Sequence, residues 1–221
     1  MLYLCVSDIH GRLDALAAIL ATAEKRNVHK LLVAGDIVFP GPHALETWRR
    51  LQAAGAIMVA GLTDEALARI DPDDVSAKTP GEEEKLQRMR EVQGELGELV
   101  LQQLRTLPRE VRIPLEDGTE LLLVHASPAS PFEALSHDLE DDEFDALLGD
   151  EGADFIVCGM SHVPFVKDFG DQKVVNVGSV GDAPDGREPG ATEPLVAHAC
   201  WIESTAAGTT IEPFWVSLVR A

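Results

Sequence analysis

The feature that most constrains this chain is a set of short apolar runs that end abruptly in Asp or His. The run at residues 2–6 leads directly to Asp8 and His10, and the run at residues 30–34 leads to Asp36. Short continuous apolar runs are typical of buried strands in parallel sheets, and open α/β sheets bind ligands just beyond the carboxyl ends of such strands. Because Asp8 and His10 lie two residues apart in an extended segment, both can reach one metal ion.

Helical patterns alternate with these runs in the first half of the chain. Apolar residues at helical spacing predict helices at about 13–25 and 44–54, and a third apolar run at 56–60 leads to the segment 61–64. A further helix is predicted at 82–107, ending before Pro108. The alternation of strand and helix indicates a layered α/β fold.

The second half predicts hairpins and further strands with the same kind of ending. The Asp117-Gly118 pair predicts a hairpin whose second strand ends in His125. Residues 136–154 contain nine acids and no Lys or Arg, and we interpret them as a solvated acidic helix. The next apolar run, at 155–159, leads to His162.

Composition indicates one globular domain over residues 1–221, with 45% hydrophobic residues. The net charge of −20 argues against binding to long nucleic acids or anionic membranes, but a small phosphorylated substrate is compatible if a metal ion supplies local positive charge. The three cysteines are interpreted as reduced core residues of a cytoplasmic protein, and neither a signal peptide nor a membrane span is recognised. The sequence leaves the oligomeric state open, a homo-oligomer included.

Single Asp or His residues at strand ends are common, but five ligand-type side chains at such positions are hard to obtain by chance. With these motifs the sequence resembles the calcineurin-like metallophosphoesterases, in particular the small bacterial branch with YfcE-like phosphodiesterases and diadenosine-tetraphosphatase-like proteins. The segments that carry the resemblance are Ser7-Asp-Ile-His-Gly11, Gly35-Asp36 with Gly41-Pro42, Gly61-Leu-Thr-Asp64, Val124-His-Ala-Ser-Pro128, Gly159-Met-Ser-His162 and Asn176-Val-Gly-Ser-Val-Gly181.

The resemblance implies a four-layer α-β-β-α sandwich of two mixed sheets, with a two-metal site at the strand ends. Asp8, His10 and His162 would hold the first ion, Asp36 would bridge both ions, and His125 would belong to the second. It further implies hydrolysis of a small phosphodiester or nucleotide-type phosphate ester by a metal-bound hydroxide, with Mn²⁺ as the expected ion and Fe, Zn, Ni or Mg as alternatives.

Three residues depart from the family pattern. Leu62 replaces an amide ligand and Met160 replaces an imidazole ligand, and both lost ligands belong to the second ion. That ion is left with Asp36 and His125, helped by Asp64 or water, which is a weak set for a divalent cation. Thr63 stands where many members carry a proton-donating His, and a threonine is a poor general acid.

Three hypotheses therefore stay open: an active phosphoesterase, a metal- or nucleotide-binding protein on a weakened enzyme scaffold, and a purely structural role. The residues assigned to catalysis are Asp36, His125 and Asp64. Substrate contacts are assigned to His43, Asn176 and Ser179, although an exposed loop position for His43 and structural turns for the other two explain them equally well.

Overall fold

The architecture is built from ten strands and five helices within residues 1–184 and 195–218, the parts of the chain that the computed structural model describes. In chain order these elements are β1 (Leu2–Val6), α1 (Leu13–Ala23), β2 (Lys30–Val33), α2 (Ala44–Ala53), β3 (Ile57–Met58), α3 (Leu62–Arg69), α4 (Pro80–Arg105), β4 (Glu110–Pro114), β5 (Glu120–Val124), α5 (Asp141–Leu148), β6 (Phe155–Cys158), β7 (Phe165–Phe169), β8 (Gln172–Asn176), β9 (Val196–Thr205) and β10 (Gly208–Ser217).

The strands form two mixed sheets of five strands each. The first sheet has the order β10-β9-β1-β2-β3, and the second has the order β4-β5-β6-β8-β7. In the first sheet β1, β2 and β3 are parallel, and in the second β5, β6 and β8 are parallel. The predicted sandwich of two mixed sheets flanked by helices is confirmed.

The strands are apolar on both faces because each sheet is covered on both sides. Along β1, Tyr3 and Cys5 belong to the core between the sheets, whereas Leu4 and Val6 pack in the core that lies under the helices. This arrangement explains why the strands appear in the sequence as continuous apolar runs rather than as alternating patterns. The three cysteines are buried and unpaired, as predicted for reduced core residues.

The helices cover the outer faces of the two sheets. Helices α1, α2 and α4 contribute buried residues to the core on the first sheet, and α5 packs on the second sheet through Phe144 and Leu148. No helix in the described ranges combines the length and apolarity that a membrane crossing requires.

Three elements differ from the sequence prediction. Helix α3 was not predicted, although Gly61 precedes it and the Asp64 carboxylate accepts the Gly61 N–H, a local arrangement that begins many helices. Helix α4 is interrupted at Gly97, where φ is 73°, a left-handed conformation that glycine adopts readily. The acidic segment forms a helix only at Asp141–Leu148, since its earlier part holds few apolar residues that could pack on the sheet.

Candidate metal centre at the strand ends

The fold brings all five predicted ligand residues to one place. The parallel strands of both sheets end at the same edge of the sandwich, and Asp8, His10 and His162 form a first group there. His162 Nε2 lies 3.2 Å from Asp8 Oδ1, and His10 Nε2 lies 3.3 Å from His162 Nε2. The three ligand atoms lie within 4.8 Å of one another, which is a separation that one ion can span.

A second group shares Asp8 with the first. It consists of Asp8, Asp36 and His125, whose ligand atoms also lie within 4.8 Å of one another. His125 Nε2 lies 3.5 Å from Asp36 Oδ1, and both residues are buried. The sequence suggested that Asp64 or water would help Asp36 and His125, whereas the structure brings Asp8 into this group.

The backbone at these positions adopts a conformation that most residues avoid. Six non-glycine residues have positive φ in the described chain, and five of them surround the metal centre. Those five, with φ between 50° and 62°, are Asp8, His10, Asp36, Met160 and His162. Asp and His tolerate the left-handed region better than most residues, and such strain concentrates at functional sites.

Backbone carbonyl groups fix the orientation of the three imidazoles. The Nδ1 atoms of His10, His125 and His162 lie 2.6, 2.7 and 3.1 Å from the carbonyl oxygens of Phe39, Ala34 and Asp182, respectively. Because a carbonyl only accepts, each Nδ1 must carry the proton, and in the neutral ring the lone pair lies on Nε2. Metal-binding histidines are commonly held in this way.

Two buried atoms at the centre lack the hydrogen bonds that buried polar atoms normally make. Asp8 Oδ1 and His125 Nε2 have no hydrogen-bond partner among the described residues. An unpartnered buried polar atom is costly, and a bound ion is one of its recognised explanations. Carboxylate oxygens and imidazole nitrogens are both good ligands for divalent ions, so the residues present fit a bound metal.

The charges of the centre shift the pKa values of its groups. Burial alone would raise the pKa of Asp8, but the imidazoles of His162, His125 and His10 hold it below its ordinary value. Burial alone would lower the pKa of His125 and His162, but neighbouring carboxylates raise both above the ordinary value: Asp36 and Asp8 act on His125, and Asp8 and Asp182 act on His162. The carboxylates thus make the centre favourable for positive charge.

The loops that carry the ligands are joined by backbone hydrogen bonds that continue the pairing of β1 and β2. The N–H groups of Asp8 and His10 donate to the carbonyls of Gly35 and Asp36, both at 3.0 Å. The loop after β6 lies equally close to the loop after β1. Only glycine fits at position 159, since an added Cβ there would lie 1.9 Å from Ser7 Oγ. The ligand loops are therefore fixed to one another before any ion binds.

Asp64 and Thr63 act on the loops through buried contacts. Asp64 is fully buried, and its two carboxylate oxygens accept the N–H groups of Ile37 and Gly61, each at 3.0 Å. Burial and the nearby Asp36 raise its pKa to about 7. The Thr63 N–H donates to Asp36 Oδ1 at 2.8 Å, whereas the Thr63 hydroxyl is buried and has no hydrogen-bond partner among the described residues.

Asn176 and Ser179 are both fully buried, which favours the structural turns over the predicted substrate contacts. The Asn176 amide donates to Gly159 O at 2.5 Å and to Ser161 Oγ at 3.0 Å, and its oxygen accepts the Gly178 N–H at 2.9 Å. Ser179 Oγ donates to the carbonyl of Asp8 at 2.9 Å. Both residues hold ligand loops in place.

His43 lies apart from these buried residues. It is exposed at the start of α2, and its side chain makes no hydrogen bond that caps the helix. Its role as a substrate contact stays a prediction.

Replacing Asn176 with alanine is expected to lower the free energy of unfolding by about 2–3 kcal/mol, because buried partners lose their hydrogen bonds. Urea denaturation measures this change, and Gln102→Ala on the exposed side of α4 is the control that should leave stability within about 0.5 kcal/mol. An unchanged unfolding free energy, with only substrate affinity reduced, would instead support the original substrate-binding assignment.

The two departures from the family pattern lie at the edge of the second group. Leu62 is the first residue of α3, and 40% of its surface is exposed. The Met160 N–H donates to Asp8 Oδ2 at 3.0 Å, so this residue positions Asp8 through its backbone while its side chain offers only a thioether. The Asp8, Asp36 and His125 group is thus built without an amide or a second imidazole.

Comparisons with known proteins agree with this fold. An uncharacterized protein of Methanocaldococcus jannaschii, MJ0912, is 28% identical over 198 residues, which cover 82% of this chain and 76% of the relative. The fold is similar to that of the hypothetical protein PH1004 of Pyrococcus horikoshii, with a TM-score of 0.77, 20% identity and coverage of 98% of this chain and 88% of that one.

Two further solved structures share the fold. A metallophosphoesterase from Sphaerobacter thermophilus has a TM-score of 0.72 and 24% identity, with coverage of 96% of this chain and 87% of that one. The YfcE phosphoesterase of E. coli has a TM-score of 0.54 and 19% identity, with coverage of 99% and 100%, respectively. Residues 1–194 match the model of the calcineurin-like phosphoesterase superfamily domain. The chain therefore belongs to the calcineurin-like phosphoesterase superfamily, a family of hydrolases that depend on divalent metal ions.

Proposed function

We propose that this protein hydrolyses a small phosphodiester or a nucleotide-type phosphate ester with the help of divalent metal ions. Asp8, His10 and His162 hold the first ion, and Asp36 and His125, together with Asp8, form a weaker second position. The observation that carries the proposal is the convergence of oriented imidazoles on Asp8 Oδ1, an atom buried without a hydrogen-bond partner among the described residues.

The centre also explains how a strongly acidic chain can accept an anionic substrate. The net charge of −20 repels a phosphate, and at the strand ends carboxylates add to that repulsion. Divalent ions bound there would supply Lewis-acid chemistry and offset the charge of the phosphate. The mixed set of carboxylate and imidazole ligands suits several ions, and we propose Mn²⁺ as the preferred one.

Substrates with good leaving groups suit this site best. The Thr63 hydroxyl is a poor acid and is buried, so it cannot protonate a departing oxygen efficiently. General acid catalysis typically contributes about 10²–10⁴ in rate, and alkyl esters depend on it most. We therefore expect aryl phosphodiesters to react faster than alkyl phosphodiesters.

A metal-removal experiment tests the proposal. After chelation, the protein should show no turnover of bis(p-nitrophenyl) phosphate, and added Mn²⁺ should restore turnover above the rate of buffer with Mn²⁺ alone. Bound metal per chain is measured in parallel by elemental analysis. Metal binding without turnover would contradict the enzyme proposal and support a second candidate, a metal- or nucleotide-binding protein. The apolar side chains of Leu62 and Met160 beside the second position are the observation that favours this candidate.

A further inference from the structure

A small cavity lies beside His125, where α3 begins. Its volume is about 210 Å³, and its walls come from residues 60–62 with Glu65, from Arg109 with Glu110, and from the loop after β5. Since His125 belongs both to this wall and to the candidate metal centre, the cavity adjoins the place where a substrate phosphate would lie.

The cavity presents apolar side chains that solvent would otherwise contact. Leu62 is 40% exposed and Phe132 is 65% exposed, and Pro128 and Pro131 lie between His125 and Phe132 on the same wall. Apolar surface next to a polar reaction centre is typical of ligand-binding pockets, which combine hydrophobic walls with a few polar groups.

The loop that carries Phe132 is ordered by its own hydrogen bonds. Ser127 Oγ donates to the carbonyl of Ser130 at 3.0 Å, and the Ser130 N–H donates back to Ser127 Oγ at 3.2 Å. The Phe132 N–H donates to Ser130 Oγ at 3.3 Å. The aromatic ring therefore projects from a fixed turn, which lowers the entropic cost of stacking a ligand on it.

The charged residues of the cavity favour an aromatic occupant over a second phosphate. Arg109 makes a two-pronged ion pair with Glu65, with Nε–Oε1 and Nη2–Oε2 distances of 2.6 and 2.8 Å. Its positive charge is thus already compensated, and Glu110 adds a negative charge to the lining. An anionic group gains little here, whereas an aromatic face gains contact with Phe132 and Leu62.

We propose that this cavity binds a planar aromatic ring of the substrate, either a simple aryl group or a nucleobase, and that Phe132 and Leu62 thereby set substrate preference. The inference rests on the proposed function, because it takes the substrate phosphate to lie at the metal centre. It also agrees with Thr63, since aryl oxides leave readily without a proton donor.

Binding of non-hydrolysed ligands tests the inference without a catalytic readout. In calorimetry with the Mn²⁺-loaded protein, phenylphosphonate should bind about 10-fold more tightly than methylphosphonate, a difference of about 1.4 kcal/mol. A second pair, AMP and ribose 5-phosphate, distinguishes the sources of the ring. Tighter binding of AMP than of ribose 5-phosphate identifies the bound ring as a nucleobase. A preference for phenylphosphonate over methylphosphonate alone identifies it as a simple aryl group.

Matched variants locate the effect. Phe132→Ala should reduce to about one each affinity ratio that exceeds one in the unmodified protein, and Phe132→Trp should retain that ratio, because the ring is replaced by another aromatic face. Trp215→Ala, which removes a ring that is 70% exposed on β10, should leave the ratios unchanged. Equal affinities within both pairs, no measurable binding of either aromatic ligand, or a preference that survives Phe132→Ala would overturn the inference. Aromatic preference without any turnover would contradict the proposed function alone.

Discussion

Metal-dependent turnover is expected to fall by about 10³-fold or more when Asp36 is replaced by asparagine. Asp36 belongs to the second ligand group, and asparagine lacks the negative charge that holds a divalent ion there. Metal stabilisation of a phosphoryl transition state is worth several kcal/mol, and each 1.36 kcal/mol changes the rate by a factor of ten. Asparagine suits the site structurally, because it tolerates the φ of 50° and its amide oxygen can still accept the Thr63 N–H.

Steady-state kinetics with bis(p-nitrophenyl) phosphate measure the effect of Asp36→Asn, and thermal unfolding checks that the fold persists. Asp145→Asn, at an exposed position of α5, removes an equal charge away from the centre and should leave turnover within a factor of two of the unmodified protein. Turnover that survives Asp36→Asn would show that the reaction does not depend on this carboxylate and would refute the assignment.

The double change Leu62→Asn with Met160→His is expected to raise bound metal by one ion per chain and turnover by about 10²-fold. It restores an amide oxygen and an imidazole beside Asp36 and His125, so the second ion gains the ligands that the family pattern places there. A second ion stabilises the attacking and leaving oxygens together. Histidine also fits position 160, where φ is 61°, better than methionine does.

Elemental analysis measures the bound metal of this double variant, and the same kinetic assay measures its turnover. The matched control is Leu62→Ala with Met160→Ala, which removes the apolar side chains without adding ligands and should leave the metal count unchanged. Adding Thr63→His to the restored pair should raise the rate further, most for alkyl esters, by up to about 10²–10⁴. If restoring both ligands changes neither metal count nor rate, these substitutions do not explain a weak second position.

The proximity of the five candidate ligand residues could be predicted from the sequence because these residues follow strands directly. Asp8 and Asp36 follow the neighbouring parallel strands β1 and β2, so they lie together at the edge where both strands end. His125 follows β5 of the other sheet and joins them because the two sheets pack face to face. The sequence did not predict that Asp8 also belongs to the second group, because the direction in which a carboxylate points depends on the conformation of its loop. The positive φ values that orient Asp8 and Asp36 have no signature in the sequence beyond the residue types themselves.

The sequence could not decide between substrate contact and a structural turn at Asn176 and Ser179 for a related reason. Polar residues after a strand suggest ligand contact, but whether they face solvent or a neighbouring loop depends on how closely the loops approach. Gly159 has no side chain, so the loop after β6 can approach Ser7 closely. The Asn176 amide then donates a hydrogen bond to the Gly159 carbonyl. Such burial arises from contacts between distant segments, which local patterns do not encode.

The imidazole anchors have a consequence for how the centre tolerates mutation. Its three histidines are held by main-chain oxygens of residues 34, 39 and 182, which every amino acid possesses. A side-chain exchange at those three positions removes no anchor so long as the chain path is kept. Exchanges at 62 and 160, by contrast, change the set of available ligands itself. The proposed first ion would therefore rest on anchors that exchanges at residues 34, 39 and 182 leave in place, whereas the proposed second position would depend on side chains that one or two exchanges can add or remove.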